Sequence, residues 1–182
     1  MPPRVSTRDL NLTVVRILAV DPAVRNTGYA VLESTPEGRI RAVDFGVITN
    51  PAKLRQSQCL VAIRDQLWQV IRNHAPEACA IEGIIYVQSH RTAISLGAAR
   101  GAALVAAGEA GLMVYEYAPR LVKQAVVGRG AADKSQVAFM VRALLHLQET
   151  PPPDAADALA IGITHLHSLQ AQHPAARERR EL

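Results

Sequence analysis

A chain of 182 residues that is 49% apolar and 20% charged can bury a substantial single core, and it is not composed like a fibrous, low-complexity or disulfide-stapled protein. Its formal net charge of +4 and isoelectric point near 9.4 permit a polyanionic partner without requiring one. Cys59 and Cys79 sit in apolar patterns as small hydrophobes, residues 1–12 lack a signal-peptide core, and no apolar run reaches bilayer length, so the expectation is a cytoplasmic protein with no membrane association.

Residues 14–21, VVRILAVD, form an apolar, β-branched run that ends on Asp21 and is closed by Pro22, the pattern of a strand buried on both faces. After the turn-rich DPAVRNTG, residues 29–33 and 39–49 read as two more strands with a turn at 36–38, which makes an antiparallel meander. Leu54, Leu60, Val61, Ile63, Leu67, Trp68, Val70 and Ile71 mark a long amphipathic helix that ends near His74, with Trp68 in its core face. A fourth strand over 78–82, ACAIE, also ends on a carboxylate, Glu82. There follow an Ala/Gly-rich helix over 91–110, a fifth strand over 112–117 and a short helix from Pro119 through Lys123. The loop Gly128-Arg129-Gly130 leads to a helix over 133–147, the prolines 151–153 interrupt, and the last helix spans 154–170. His165 and His167, late in that helix, read as surface residues. The order βββαβαβα predicts an α/β fold in which helices flank a central mixed five-stranded sheet. It forms one domain over 1–182, with 1–12 and 171–182 flexible.

Charge is concentrated. Residues 85–145 hold seven basic side chains (Arg91, Arg100, Arg120, Lys123, Arg129, Lys134, Arg142) against three acidic ones, Glu109, Glu116 and Asp133. Such a run is either a solvated helix face or a surface for phosphates.

Four carboxylates carry the chemistry. Taken alone, Asp21 before Pro22 reads as a turn cap, and Asp154 with Asp157 as a helix cap and a dipole partner. Yet Asp21 and Glu82 each end a strand that should be buried, and DAADALAIGI is otherwise small and apolar. Like charges brought within about 4–6 Å raise one another's pKa values, a conflict that oxygen-bound divalent cations remove. Two such cations activate water and stabilise a leaving oxygen, which together with the basic central third points to cleavage of nucleic acid.

The segments VDPAVRNTGYAV, AIEGIIYVQSHRTAISLGAARG, YAPRLVKQAVVGRGAADKSQV and PDAADALAIGITH, in that order across residues 14–168, resemble the RuvC family of Holliday-junction resolvases. The resemblance implies an RNase H-like fold and a homodimer that makes paired nicks in four-way junction DNA during recombination and repair. Two Mg²⁺ per site are implied, with Mn²⁺ as a substitute, and a branch-migration helicase complex as a further partner. By position, Asp21, Glu82, Asp154 and Asp157 match the family's catalytic carboxylates, while Lys123 and Lys134 match its lysines near the scissile phosphate, Lys134 as part of the catalytic set. Arg91 and Arg129 are candidate DNA contacts.

Two departures stand out. Ala23 replaces a usual glycine after Asp-Pro, and Ile85 occupies a usual aromatic position with Tyr86 next to it. Either Ile85 wedges between junction bases or Tyr86 stacks on them, and Tyr86 is favoured because stacking contributes more. An actin-like nucleotide-binding module shares a strand ending in Asp before its phosphate loop, but needs a second domain and glycine-rich loop. A catalytically silent junction binder is the other alternative.

Overall fold

The computed structural model describes residues 14–84, 89–169 and 180–182. Aliphatic residues set strand β1 (Val15–Asp21), and the chain reverses twice through β2 (Asn26–Ser34) and β3 (Ile40–Thr49) as the expected antiparallel meander. Along β1, Arg16 lies opposite Glu33 and Asp21 opposite Gly28. On its other side β1 is parallel to β4 (Ala78–Glu82), and β4 is parallel to β5 (Met113–Tyr117), with Tyr117 opposite Glu82.

The sheet order is β3-β2-β1-β4-β5-β6. β6 (Arg180–Glu181) adds a short sixth strand to the expected five. β5 offers an unpaired edge, and the tail pairs with it antiparallel at Tyr115 and Glu116, with the Arg180 guanidinium 3.8 Å from Glu116.

Because side chains alternate across a strand, β1 feeds two cores. Leu18 and Val20, with Val31, Cys79 and Ile81, pack under α1 (Gln56–His74) and α2 (His90–Glu109). Ile17 and Ala19, with Ala30, Leu32 and Ala80, pack under α3 (Pro119–Val127), α4 (Lys134–Leu144) and α5 (Pro153–Ser168). Burial of each Leu, Ile or Val in these layers contributes about 1.5–3 kcal/mol. Both cysteines are buried, as expected. In α1, Cys59, Ile63, Leu67, Val70 and Ile71 take the inner face, leaving Trp68 half-buried at the flank and Val61 exposed.

Helix α5 differs from the others. Twelve of its sixteen residues are buried, so any polar member needs an internal partner. Thr164 donates to the Ala160 carbonyl at 2.8 Å. His165, expected at the surface, is in the core, its Nδ1 2.8 Å from the Tyr117 hydroxyl, which also lies 2.8 Å from the Ser168 hydroxyl. The sequence pattern HLH conceals this because the rings that bury His165, Tyr115 and Tyr117, lie on β5, the latter 48 residues earlier in the chain. His167 is half-buried.

Candidate active site

β1 and β4 are parallel neighbours with Val20 opposite Ile81, so their carboxyl ends place Asp21 beside Glu82. Alternation puts Asp21 on the face of Ile17 and Ala19, and Glu82 on the face of Ala80; both are on the side covered by α5. That helix brings Asp154 and Asp157 in its first two turns.

What seats α5 so closely is glycine. A Cβ on Gly28, the partner of Asp21, would lie 1.9 Å from the Asp154 carbonyl oxygen, and one on Gly162 would lie 2.3 Å from a Leu32 methyl. Sequence reasoning passed over Gly28 as part of a turn, although a glycine inside a strand is itself a signal of close backbone approach. The capping account of the aspartates does not hold. The N-cap of α5 is Pro152, without any side-chain cap, and Pro153 takes the first helical position. Nor is the turn after β1 held only from Asp21: the Thr27 hydroxyl donates to the Ala23 carbonyl at 2.7 Å and accepts from its N–H at 3.3 Å. Ala23 has no positive φ, so a side chain there costs no backbone strain.

The electrostatics follow from this crowding. Burial pushes the Asp21 carboxyl up to about 6, with Asp157 and Asp154 adding to the effect and Lys134 opposing it. Glu82 is pushed up to about 7, first by burial and then by Asp21 and Asp157, against the pull of Lys134 and Lys123. Lys134 is the first residue of α4, behind the Asp133 cap, whose Oδ1 accepts from the Gln136 N–H at 2.9 Å. A cation is unfavourable at that end of a helix dipole. It is compensated by Asp157, whose Oδ2 accepts from the Lys134 ammonium at 2.9 Å, and this bond raises the Lys134 pKa.

The structure thus brings together Asp21, Glu82, Asp154, Asp157, Lys134 and Lys123. Arg129 is exposed in the loop after Gly128, whose φ of 82° ends α3, and Arg91 is exposed in the first turn of α2. Arg100 is instead ion-paired with Glu116, so it is not a spare cation for phosphate. Ile85 and Tyr86 lie outside the described residues.

Among the described residues no three acidic, histidine or cysteine side chains converge into a ready cation cage. Oδ2 of Asp157 is bonded to Lys134. The donor set nonetheless suits hard divalent cations: it consists of carboxylate oxygens, two of them with pKa values raised first by burial and then by neighbouring carboxylates.

A family model described as crossover junction endodeoxyribonuclease RuvC matches residues 17–165, a span that includes all six of these residues. The chain belongs to the RuvC family. The family's protein from Akkermansia muciniphila is 60% identical over 154 residues, which are 85% of this chain and 92% of that one. The protein from Syntrophomonas wolfei is 44% identical over 155 residues, 85% of this chain and 90% of its own. The structure of T. thermophilus RuvC in complex with a Holliday junction substrate superimposes with a TM-score of 0.81 at 33% identity, covering 92% of this chain and 99% of that one. The fold is therefore RNase H-like, with a sixth short strand at its edge.

Proposed function

We propose that Asp21, Glu82, Asp154 and Asp157 hold two Mg²⁺ ions, replaceable by Mn²⁺, with which a homodimer of this chain nicks a four-way DNA junction on two strands. A member of the RuvC family, the chain is a crossover junction endodeoxyribonuclease, and neither the nucleotide-binding nor the silent-binder alternative finds support. One observation carries the assignment of the site. Two neighbouring buried strands end in carboxyls held near 6 and 7, under a helix that adds two more aspartates. Burial, and after it the repulsion between these groups, opposes their ionisation, and a countercharge favours it. The bound ions would supply that charge, activate the attacking water and stabilise the leaving oxygen.

The chain's own residues do the rest. Asp21 and Glu82, fixed by the sheet, and Asp154 and Asp157, fixed by a buried helix, give the four oxygen donors a rigid frame. Lys134 extends a side chain that is 74% exposed from the rim of the cluster, where it faces a DNA phosphate and offsets charge that grows in the transition state. Lys123 lies near enough to Glu82 to lower its pKa and serves as a second cation at the phosphate. Arg91 and Arg129 dock the DNA backbone, while the segment after Glu82, with Ile85 and Tyr86, meets the unstacked bases at the junction centre.

Two cuts require two sites, which supports a two-fold dimer. Helix α2 carries small residues on two faces. Ala99, Ala103, Ala106 and Ala107 pack inward, whereas Gly97, Gly101 and Gly108 have open space above them and share a face with exposed Ile94 and Val105. That outward stripe is the surface for a second copy. Ile94→Asp should shift sedimentation at micromolar concentration from dimer to monomer; a monomeric wild-type chain, alone and on DNA, would remove the idea.

The function is tested by single-turnover nicking of four-way, duplex and flap DNA with and without Mg²⁺. Symmetric, metal-dependent nicks confined to the junction are expected. Binding without nicking would favour a silent junction binder.

A further inference from the structure

Lys134 holds a position that a cation should avoid, the first residue of a helix, and its ammonium bonds one oxygen of a carboxylate assigned here as a metal ligand. Asp157 is 25% exposed and tethered to a rigid, buried helix, whereas the Lys134 side chain is 74% exposed on a flexible four-carbon stem. Of the two partners, only the lysine can leave without disturbing the fold. Oδ2 of Asp157 is therefore wanted twice, by an ammonium and by a divalent cation, and two positive groups on one oxygen repel each other.

We propose that Lys134 competes with the divalent cation for Asp157, so that loading of the site releases the Lys134 ammonium toward the exposed rim where a DNA phosphate binds. The inference rests on the assignment of Asp157 as a ligand. Linkage makes the effect reciprocal: a phosphate that draws Lys134 away from Asp157 tightens metal binding by the same factor by which metal tightens DNA binding. Lys134 thus acts through Asp157 as a positioning residue as well as at the phosphate.

The test does not depend on cleavage. The chain has three lysines, Lys53, Lys123 and Lys134, so after reductive ¹³C-methylation, which keeps their charge, their methyl signals can be assigned by Lys134→Met. Mg²⁺ added to the wild-type protein without DNA should move the Lys134 signal to the position it has in Asp157→Asn without metal. By calorimetry, Lys134→Met should bind Mg²⁺ about tenfold more tightly than wild type and should lose much of the coupling between Mg²⁺ and junction binding. If Mg²⁺ binds wild type, Asp157→Asn abolishes that binding, and the Lys134 signal stays where it was, the exchange is wrong while Asp157 remains a ligand. If Asp157→Asn binds Mg²⁺ as tightly as wild type, the ligand assignment itself falls, and the exchange with it.

Discussion

The two ends of strand β1 treat a carboxylate in opposite ways. At its start, Glu33 of the neighbouring strand is buried between two arginines: Arg16 donates to Oε2 at 2.9 Å, and Nε of Arg41 donates to Oε1 at 3.0 Å. Those bonds hold the Glu33 carboxyl below its usual range, the Arg41 bond contributing most. At the other end, about 16 Å along the strand, Asp21 and Glu82 face two more aspartates with one lysine bonded among them, and both are pushed upward. Burial leads the upward shift at Asp21 and Glu82, whereas at Glu33 the Arg41 bond outweighs it. The neighbours also differ in sign: arginines hold Glu33 ionised, while aspartates add to the rise at the other end.

The largest effect is expected where the crowding is broken. Asp157→Asn should slow single-turnover nicking in Mg²⁺ by roughly a thousandfold. Junction affinity measured without metal should be kept or increased, since a negative charge near phosphate is lost. Nicking near the wild-type rate would show that Asp157 is not a ligand.

Gly28→Ala tests how the frame is built. Its Cβ would lie 1.9 Å from the Asp154 carbonyl oxygen, so α5 and β2 must separate by roughly an ångström or more at the first turn of the helix. The expected cost is roughly a hundredfold in nicking rate, together with about 1–3 kcal/mol of stability from overpacking. Full activity in Gly28→Ala would mean that the cluster tolerates displacement and is not preorganised.

The smallest effect reads the comparison through pH. Asp21 and Glu82 bind protons more tightly folded than unfolded, with carboxyls near 6 and 7 in place of 3.8 and 4.5. The folded chain therefore carries more protons between about pH 4 and 7, and stability should fall as pH rises through that window. The fall is about 3 kcal/mol for each group and less than additive for the pair. Glu33 has the reverse sign: its contribution is present above the ordinary glutamate range and is lost as pH drops through its lowered value. Denaturant melts between pH 5 and 7.5 without divalent cations should show the fall in wild type, a flatter profile in Asp21→Asn with Glu82→Gln, and recovery on adding Mg²⁺. A wild-type protein that gains stability across this range would contradict the crowding.

The strands and the metal-ligand candidates were legible because they obey local rules. VVRILAVD and ACAIE announce buried strands by their β-branched runs, and their terminal carboxylates are conspicuous against that background. Gly28 was not, since its reason lies in a helix 126 residues away in the chain. The burial of His165 depends on Tyr115 and Tyr117 of β5 packing against it, a tertiary fact with no local signature. Two tail residues became β6 because an edge of β5 needed a partner, and no pattern within RERREL states that need. Nor could charge counting tell Arg100, which Glu116 occupies, from cations that remain available to DNA.

The central claim, that the crowded end of the sheet cleaves and the paired end only stabilises, is tested most directly by measuring one pair of variants side by side. Asp21→Asn and Glu33→Gln are each assayed for single-turnover nicking of a four-way junction in Mg²⁺ and for unfolding free energy at pH 7.5 without it. Asp21→Asn should lose nicking while matching or exceeding wild-type stability; Glu33→Gln should nick at the wild-type rate while losing about 1–2 kcal/mol. Nicking retained by Asp21→Asn, or lost by a folded Glu33→Gln, would contradict the account.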